Sequence, residues 1–111
     1  MEGLELTAFQ IISAVGTARS CYIEAINEAK QGNYSRAQQL LKEGEDTFIE
    51  GHDAHTALLQ HEAEGKSKGT VVNLLILHAE DQLMSAEAFK IIAQEFIDVY
   101  KRLDGEKEVK A

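Results

Sequence analysis

A histidine and an aspartate stand three residues apart, directly after the most apolar run of the chain, in LLILHAEDQLMS (residues 74–85). Three residues make almost one helical turn, so His78 and Asp81 share one face of a helix with Leu74 and Leu77. A neutral imidazole can take up a phosphoryl group on one ring nitrogen while a hydrogen bond holds the other. A histidine beside an apolar run is also often a hydrogen-bonded core residue, and spacing leaves both roles open for His78.

Asp81 lies within this apolar stripe, where a carboxylate buried alone costs roughly several kcal/mol and needs a partner. No Lys or Arg stands three or four residues to either side of it. If copies of the chain associate through the stripe, their Asp81 carboxylates converge, and a hard divalent cation such as Mg²⁺ can offset the repulsion. The alternative is that Asp81 reaches solvent or a neighbouring hydroxyl, and the spacing favours neither.

Three further histidines precede this stretch. His52 and His55 are three residues apart and could chelate a metal, and His61 follows them. Without a third aligned ligand they make a weak zinc signal. We therefore interpret these histidines as packing residues or as polar residues at the edge of a groove.

The elements that must position these residues are three long segments with apolar residues at helical spacing. They predict helices over about 4–31, 34–64 and 70–103 within a single domain of residues 1–111. No strand-like alternation occurs, so the fold class is all-α. Connections this short make neighbouring helices antiparallel, which predicts an up-down three-helix bundle.

Turn signals separate the three segments. Gly32 can end the first helix in a left-handed conformation, and Asn33 or Ser35 can cap the second. Before the third helix, Gly65 and Gly69 bracket a polar loop and Thr70 is a possible cap. The chain after Leu103, DGEKEVKA, is charged and we expect it to be frayed.

The third segment is hydrophobic nearly all round at its start. From Val71 to Ala79, every residue except Asn73 and His78 is apolar. Two partner helices cover only part of such a helix, so the remainder should bury against another copy of the chain. The sequence therefore predicts a homo-oligomer.

Composition excludes several classes of protein. The chain has 111 residues and a net charge of −8, with scattered Lys and Arg, which argues against nucleic-acid binding. Its one cysteine, Cys21, excludes an internal disulfide. The first residues lack the basic start of a signal peptide, and no apolar stretch approaches the ~20 residues that span a bilayer. We expect a cytoplasmic protein without direct membrane insertion.

The stretch LLILHAEDQLMSA resembles the central motif of the lactose/cellobiose-type enzyme IIA proteins of the bacterial phosphoenolpyruvate-dependent sugar phosphotransferase system, which reads close to H-A/G-Q-D-H-L-M-T. The segment IISAVGTARSCYIEAINEAKQGNYSRAQQLLKEG is similar to the family's first helix and turn, and GHDAHTALLQHEAEGK to the end of its second helix. The resemblance runs from about Phe9 to Leu103, in the family's order and spacing.

The resemblance implies an antiparallel three-helix unit that assembles as a homotrimer. It implies that His78 accepts a phosphoryl group from the phosphocarrier protein HPr and passes it to a cysteine of the cognate IIB protein, for delivery to the sugar at the IIC permease. It also implies that three copies of Asp81 hold a divalent metal, with Mg²⁺ expected, at the trimer axis. The sugar would be a β-linked disaccharide of the cellobiose, chitobiose or lactose type.

Two positions inside the motif depart from the family pattern. Glu80 stands where the family has glutamine, and Gln82 where it has a second histidine. Where the family usually reads A-H-x-x-Q-T, residues 51–56 read GHDAHT, with His55 at the glutamine position. We expect Glu80, Gln82 and His55 to support His78, with Glu80 adding negative charge near the phosphoryl site and Gln82 able to donate a hydrogen bond.

Two other functions stay open. One is a histidine phosphotransfer domain of two-component signalling, although its usual H-x-x-K-G pattern is missing after His78. The other is a non-catalytic helical oligomer that binds metal at Asp81.

Overall fold

Three helices and one short turn make up the described chain. The computed structural model describes residues 3–63 and 74–110. Helix α1 spans Gly3–Lys30, α2 spans Tyr34–Ala63 and α3 spans Leu74–Lys110. The bundle is elongated, 66 × 20 × 20 Å. The prediction of an all-α, three-helix fold is therefore confirmed for the described residues, while Gly65, Gly69 and Thr70 lie outside them.

The turn between α1 and α2 forms where the sequence predicts it. Gly32 adopts a φ of 82°, a left-handed conformation that costs a glycine little. Its N–H bonds to the Ala29 carbonyl at 3.0 Å, and the Asn33 N–H bonds to the Glu28 carbonyl at 2.9 Å, which satisfies two free carbonyls at the end of α1. The chain therefore reverses within three residues.

Asn33 holds the capping position of α2, because its carbonyl accepts the first helical bond, from the Ala37 N–H. Its side chain, however, donates to the Glu28 carboxylate at 2.8 Å and so ties the turn back to α1. Ser35, the other predicted cap, already lies inside α2.

Helix α3 extends beyond its predicted end. It reaches Lys110, whereas the sequence predicted an end near Leu103 with a frayed tail, so that prediction is wrong. Gly105 does not take the left-handed conformation that ends a helix. The residues that follow it are mostly Glu and Lys, which favour helix, and no proline interrupts them.

Alanines line the core between α1 and the other two helices. Ala79, Ala86 and Ala93 repeat every seven residues on the buried side of α3, and α1 contributes buried alanines of its own. Small side chains let helix backbones approach closely, and larger residues fill the space between them. Those larger buried residues are Ile11, Val15, Tyr22, Leu40, Leu41, Leu83 and Ile97.

The packing of the three helices is uneven. Helix α1 packs extensively against both partners, while α2 and α3 pack less closely against each other. Side-chain bonds join α2 to α3 at Tyr34–Asp104, Glu45–Lys90 and His55–Glu80, pairs that run in opposite directions along the two helices. The two helices are therefore antiparallel. His78 lies near the N-terminal end of α3.

Candidate functional site

His78 lies in the second turn of α3, and its side chain is exposed. Helical geometry places it beside Leu74 and Leu77, which are also exposed, at 82% and 54%. No bond joins the imidazole to another described residue. A second molecule can therefore reach the ring directly, as acceptance of a phosphoryl group requires.

The stripe that holds His78 and Asp81 faces away from α1 and α2. The buried side of α3 is the opposite one, formed by Ala79, Leu83 and Ala86. We call the exposed stripe the outward face of α3. It comprises Leu74, Leu77, His78, Asp81, Met84, Ala88, Ile91, Ile92, Phe96, Val99 and Leu103, all of them exposed. Such a long apolar surface is unusual for a monomer and typical of an interaction site.

Asp81 lies on the outward face, three residues after His78, and is exposed within one chain. The chain on its own therefore does not bury this carboxylate, and burial would require a second copy. Among the described residues, no group of three or more His, Cys, Asp or Glu side chains could hold a metal ion. One Asp81 supplies a single carboxylate, so metal binding would need the same residue from several chains.

Glu80 does not point along the outward face with His78. It lies about 200° further round the helix, because each residue turns the helix by about 100°. Its Oε1 lies 2.6 Å from Nε2 of His55 on α2. The structure thus joins two of the predicted supporting residues to each other and directs Glu80 away from the exposed imidazole.

Gln82 and the remaining histidines occupy different positions. Gln82 is half-buried one turn after His78, where the two side chains are neighbours on the helix surface. The exposed His52 ring lies 6.2 Å from the Phe48 ring, centroid to centroid. His61 lines a groove between the first turns of α1 and the end of α2. The interpretation of His52 and His61 as packing or groove-edge residues agrees with these positions.

Some contacts between helices had no signal in the sequence. The Arg19 guanidinium lies 5.3 Å above the Phe89 ring and joins α1 to α3. Lys90 Nζ donates to Glu45 Oε1 at 2.8 Å. These partners are far apart in the chain, so neither helical spacing nor a local motif identifies them.

No described helix has the length and apolar character that crossing a membrane requires.

Comparison with known proteins identifies the architecture. The family model for the lactose/cellobiose-specific IIA subunit of the PTS (phosphotransferase) system matches residues 6–101. The lactose-specific EIIA component of Streptococcus mutans is 35% identical over 91% of this chain and 95% of its own length. The family match includes the turns that carry His78 and Asp81.

Solved structures agree with the family match. The PTS cellobiose-specific enzyme IIA from Bacillus anthracis has a TM-score of 0.89 and 39% identity, over 95% of this chain and 94% of that chain. The IIA(chitobiose) of the IIA(chitobiose)–HPr complex from Escherichia coli has a TM-score of 0.79 and 28% identity, over 94% of this chain and 99% of that chain.

Proposed function

The chain belongs to the lactose/cellobiose-specific IIA family of the sugar phosphotransferase system, and on that premise we propose that His78 carries the phosphoryl group. The observation that carries the proposal is the exposure of the His78 imidazole on the outward face of α3. Transfer between two proteins needs the acceptor nitrogen within reach of an incoming phosphorus atom, which a buried ring would not allow. The family assignment separates this proposal from a two-component phosphotransfer domain and from a non-catalytic scaffold.

The first transfer takes place from phospho-HPr. A neutral ring nitrogen of His78 attacks phosphorus, and the bond between phosphorus and the donor breaks as the new P–N bond forms. The likeness to the IIA(chitobiose) of a complex with HPr supports HPr as the donor. The acidic surface of this chain, with a net charge of −8, favours a carrier whose docking face is basic.

The second transfer regenerates His78. The thiolate of a IIB cysteine attacks phosphorus, the P–N bond breaks, and the ring nitrogen becomes free for another cycle. The IIC permease then receives the group for its sugar. Relatives named for lactose and cellobiose support a β-linked disaccharide as that sugar.

We propose that the chain works as a homotrimer, assembled through the outward face of α3. Three copies of this face would cover the exposed apolar residues, of which Leu74, Met84 and Ile91 are 82%, 66% and 62% exposed. Association would leave His78 at the edge of the interface, where partner proteins can reach it.

We further propose that the three Asp81 carboxylates of the trimer hold a divalent cation. Oxygen ligands suit a hard ion such as Mg²⁺, and three converging negative charges need a cation to offset their repulsion. The ion would supply charge compensation at the axis, and His78 alone would carry the phosphoryl group.

Labelling tests the carrier function. Incubation with phosphoenolpyruvate, enzyme I and HPr should place an acid-labile, alkali-stable phosphate on the wild-type chain and none on His78→Ala. His52→Ala, which removes an exposed histidine of α2, serves as the matched control and should label normally. An unlabelled wild-type chain, or label that persists in His78→Ala, would contradict the proposal.

A further inference from the structure

The contact between His55 and Glu80 links α2 to the turns of α3 that carry His78. We propose that His55 is a positioning residue for phosphoryl transfer: it holds Glu80 on the α2 side of α3 and so sets the rotation at which His78 is presented. The inference rests on the proposed carrier function, because the residue that it positions is the acceptor histidine.

The geometry of the contact is that of a strong hydrogen bond. Nε2 of His55 and Oε1 of Glu80 are 2.6 Å apart. Because an ionised carboxylate only accepts, the imidazole N–H donates. The His55 side chain is 15% exposed and the Glu80 side chain 36%. Partial burial protects the bond from competing water, so it holds both side chains more firmly than a surface pair would.

Because of the position of Glu80 on α3, the bond to His55 restrains rotation of α3 about its own axis. Glu80 follows His78 by two residues, or about 200° of helical turn, so the two side chains leave opposite sides of the helix. Ala79, between them, is buried in the core, and Leu75 and Ile76 pack against the same core cluster from α3. A bond that holds Glu80 towards α2 therefore holds His78 away from α2, on the outward face.

The two other side-chain bonds described above between α2 and α3 lie further from His78. Glu45–Lys90 joins the helices three turns later along α3, and Tyr34–Asp104 joins them near its far end. Apolar packing of Leu75 and Ile76 holds the first turns of α3 against the core. Because α2 and α3 pack less closely than either packs with α1, His55–Glu80 adds a directional restraint from α2 on these turns. The bond also keeps the negative charge of Glu80 away from the face where the anionic phosphoryl group arrives.

Substitutions at either end of the bond test this role. His55→Leu removes the donor, whereas His55→Gln keeps an N–H donor able to reach Glu80. We expect His55→Leu to slow phosphorylation of His78 by phospho-HPr about tenfold, since small misplacements of reacting groups have large effects on rate. His55→Gln should remain within about twofold of wild type, as should His52→Leu, the matched substitution one turn earlier on α2.

A spectroscopic measurement separates positioning from general stability. The ¹⁵N resonances of the His78 ring should shift in His55→Leu and stay in place in His55→Gln and His52→Leu. If His55→Leu does not fold, Glu80→Ala breaks the same bond from α3 and should give the same slow transfer and the same shift. The proposal would be overturned if His55→Leu, or Glu80→Ala in its place, is phosphorylated at the wild-type rate and leaves the His78 ring resonances unshifted.

Failure of the two proposals would look different. If wild type is phosphorylated and His55→Leu is equally fast, the carrier function stands and the role of His55 is wrong. If wild type takes no phosphoryl group from phospho-HPr, the carrier function is wrong. The His78 resonances then decide about His55 by themselves: a shift in His55→Leu that is absent in His55→Gln supports it, and no shift overturns it.

Discussion

The Tyr22 hydroxyl is buried in the core where α1 packs against α2. It has no hydrogen-bond partner among the described residues, and the whole Tyr22 side chain is buried. Burial, followed by the negative charge of Glu45, raises the pKa of Tyr22 from its ordinary value of 10.0 to about 12. The ring therefore stabilises the core through its apolar area, while the buried hydroxyl costs free energy.

Replacement of this hydroxyl should stabilise the folded chain more at alkaline pH than at neutral pH. We expect Tyr22→Phe to leave the free energy of unfolding unchanged or raise it by about 1 kcal/mol near neutral pH, because it removes an unsatisfied polar group. In wild type, the folded state keeps the phenolic proton that the unfolded state loses, so stability falls as the pH rises from about 10 to about 12.

Urea unfolding of both proteins at neutral pH and near pH 11 measures this difference. The advantage of Tyr22→Phe over wild type should grow at the higher pH. A loss of more than about 1 kcal/mol at neutral pH would show that the hydroxyl has a stabilising partner.

Two glycines allow α1 and α2 to pack closely. A Cβ added at Gly44 would lie 2.5 Å from Cε1 and 2.9 Å from Cδ1 of Tyr22, and one at Gly51 would lie 2.7 Å from Cγ1 of Val15. At Gly16, by contrast, nothing lies within 4 Å of such an atom. Glycine inside a helix lowers its stability, and the close approach of the helices compensates for this at Gly44 and Gly51 but not at Gly16.

Alanine substitutions should therefore change stability in opposite directions. Gly44→Ala gains helix propensity but forces the Tyr22 ring to move, so we expect a net loss of about 1–3 kcal/mol. Gly16→Ala, the matched control on α1, should gain up to about 1 kcal/mol. Thermal and urea unfolding of the two variants measure the difference. If Gly44→Ala and Gly16→Ala change stability equally, close packing against Tyr22 is not the reason for glycine at position 44.

At the scale of the whole molecule, the outward face of α3 is a long apolar surface that no other described part of the chain covers. Its apolar residues extend from Leu74 to Leu103, a length of about 45 Å at 1.5 Å per residue. If the proposed trimer forms through this face, a charge at its centre should prevent association. Ile91→Asp should then sediment as a monomer, whereas Ile49→Asp, a matched change at an exposed isoleucine of α2, should sediment as wild type does.

Asp81 gives the complementary result at the same face. Replacing this carboxylate with leucine removes the repulsion between copies, so Asp81→Leu should keep the trimer or strengthen it and lose any dependence of assembly on divalent metal. Sedimentation with and without a chelator measures both effects. The proposed assembly would be wrong if Ile91→Asp and wild type sediment alike. The inferred repulsion between the three Asp81 carboxylates would be wrong if Asp81→Leu dissociates.

Much of the fold follows from local sequence. Apolar residues at helical spacing predict all three helices, and Gly32 marks the first turn because a left-handed residue ends a helix at little cost only when it is glycine. The C-terminal end of α3, by contrast, could not be predicted from local sequence. A charged segment such as DGEKEVKA can fray or continue a helix, and local composition did not decide between the two.

His78 and Asp81 could be predicted as site residues from their motif and spacing, because they lie within one helical turn of each other on α3. The partner of Glu80 could not, because His55 lies 25 residues earlier on another helix. Periodicity shows which residues share a face of a helix, but it does not show whether that face turns inwards or outwards. Only the packing of α1 and α2 against Ala79, Leu83 and Ala86 decided that the stripe with His78 faces outwards, since the buried side of α3 is the one whose small side chains allow close approach.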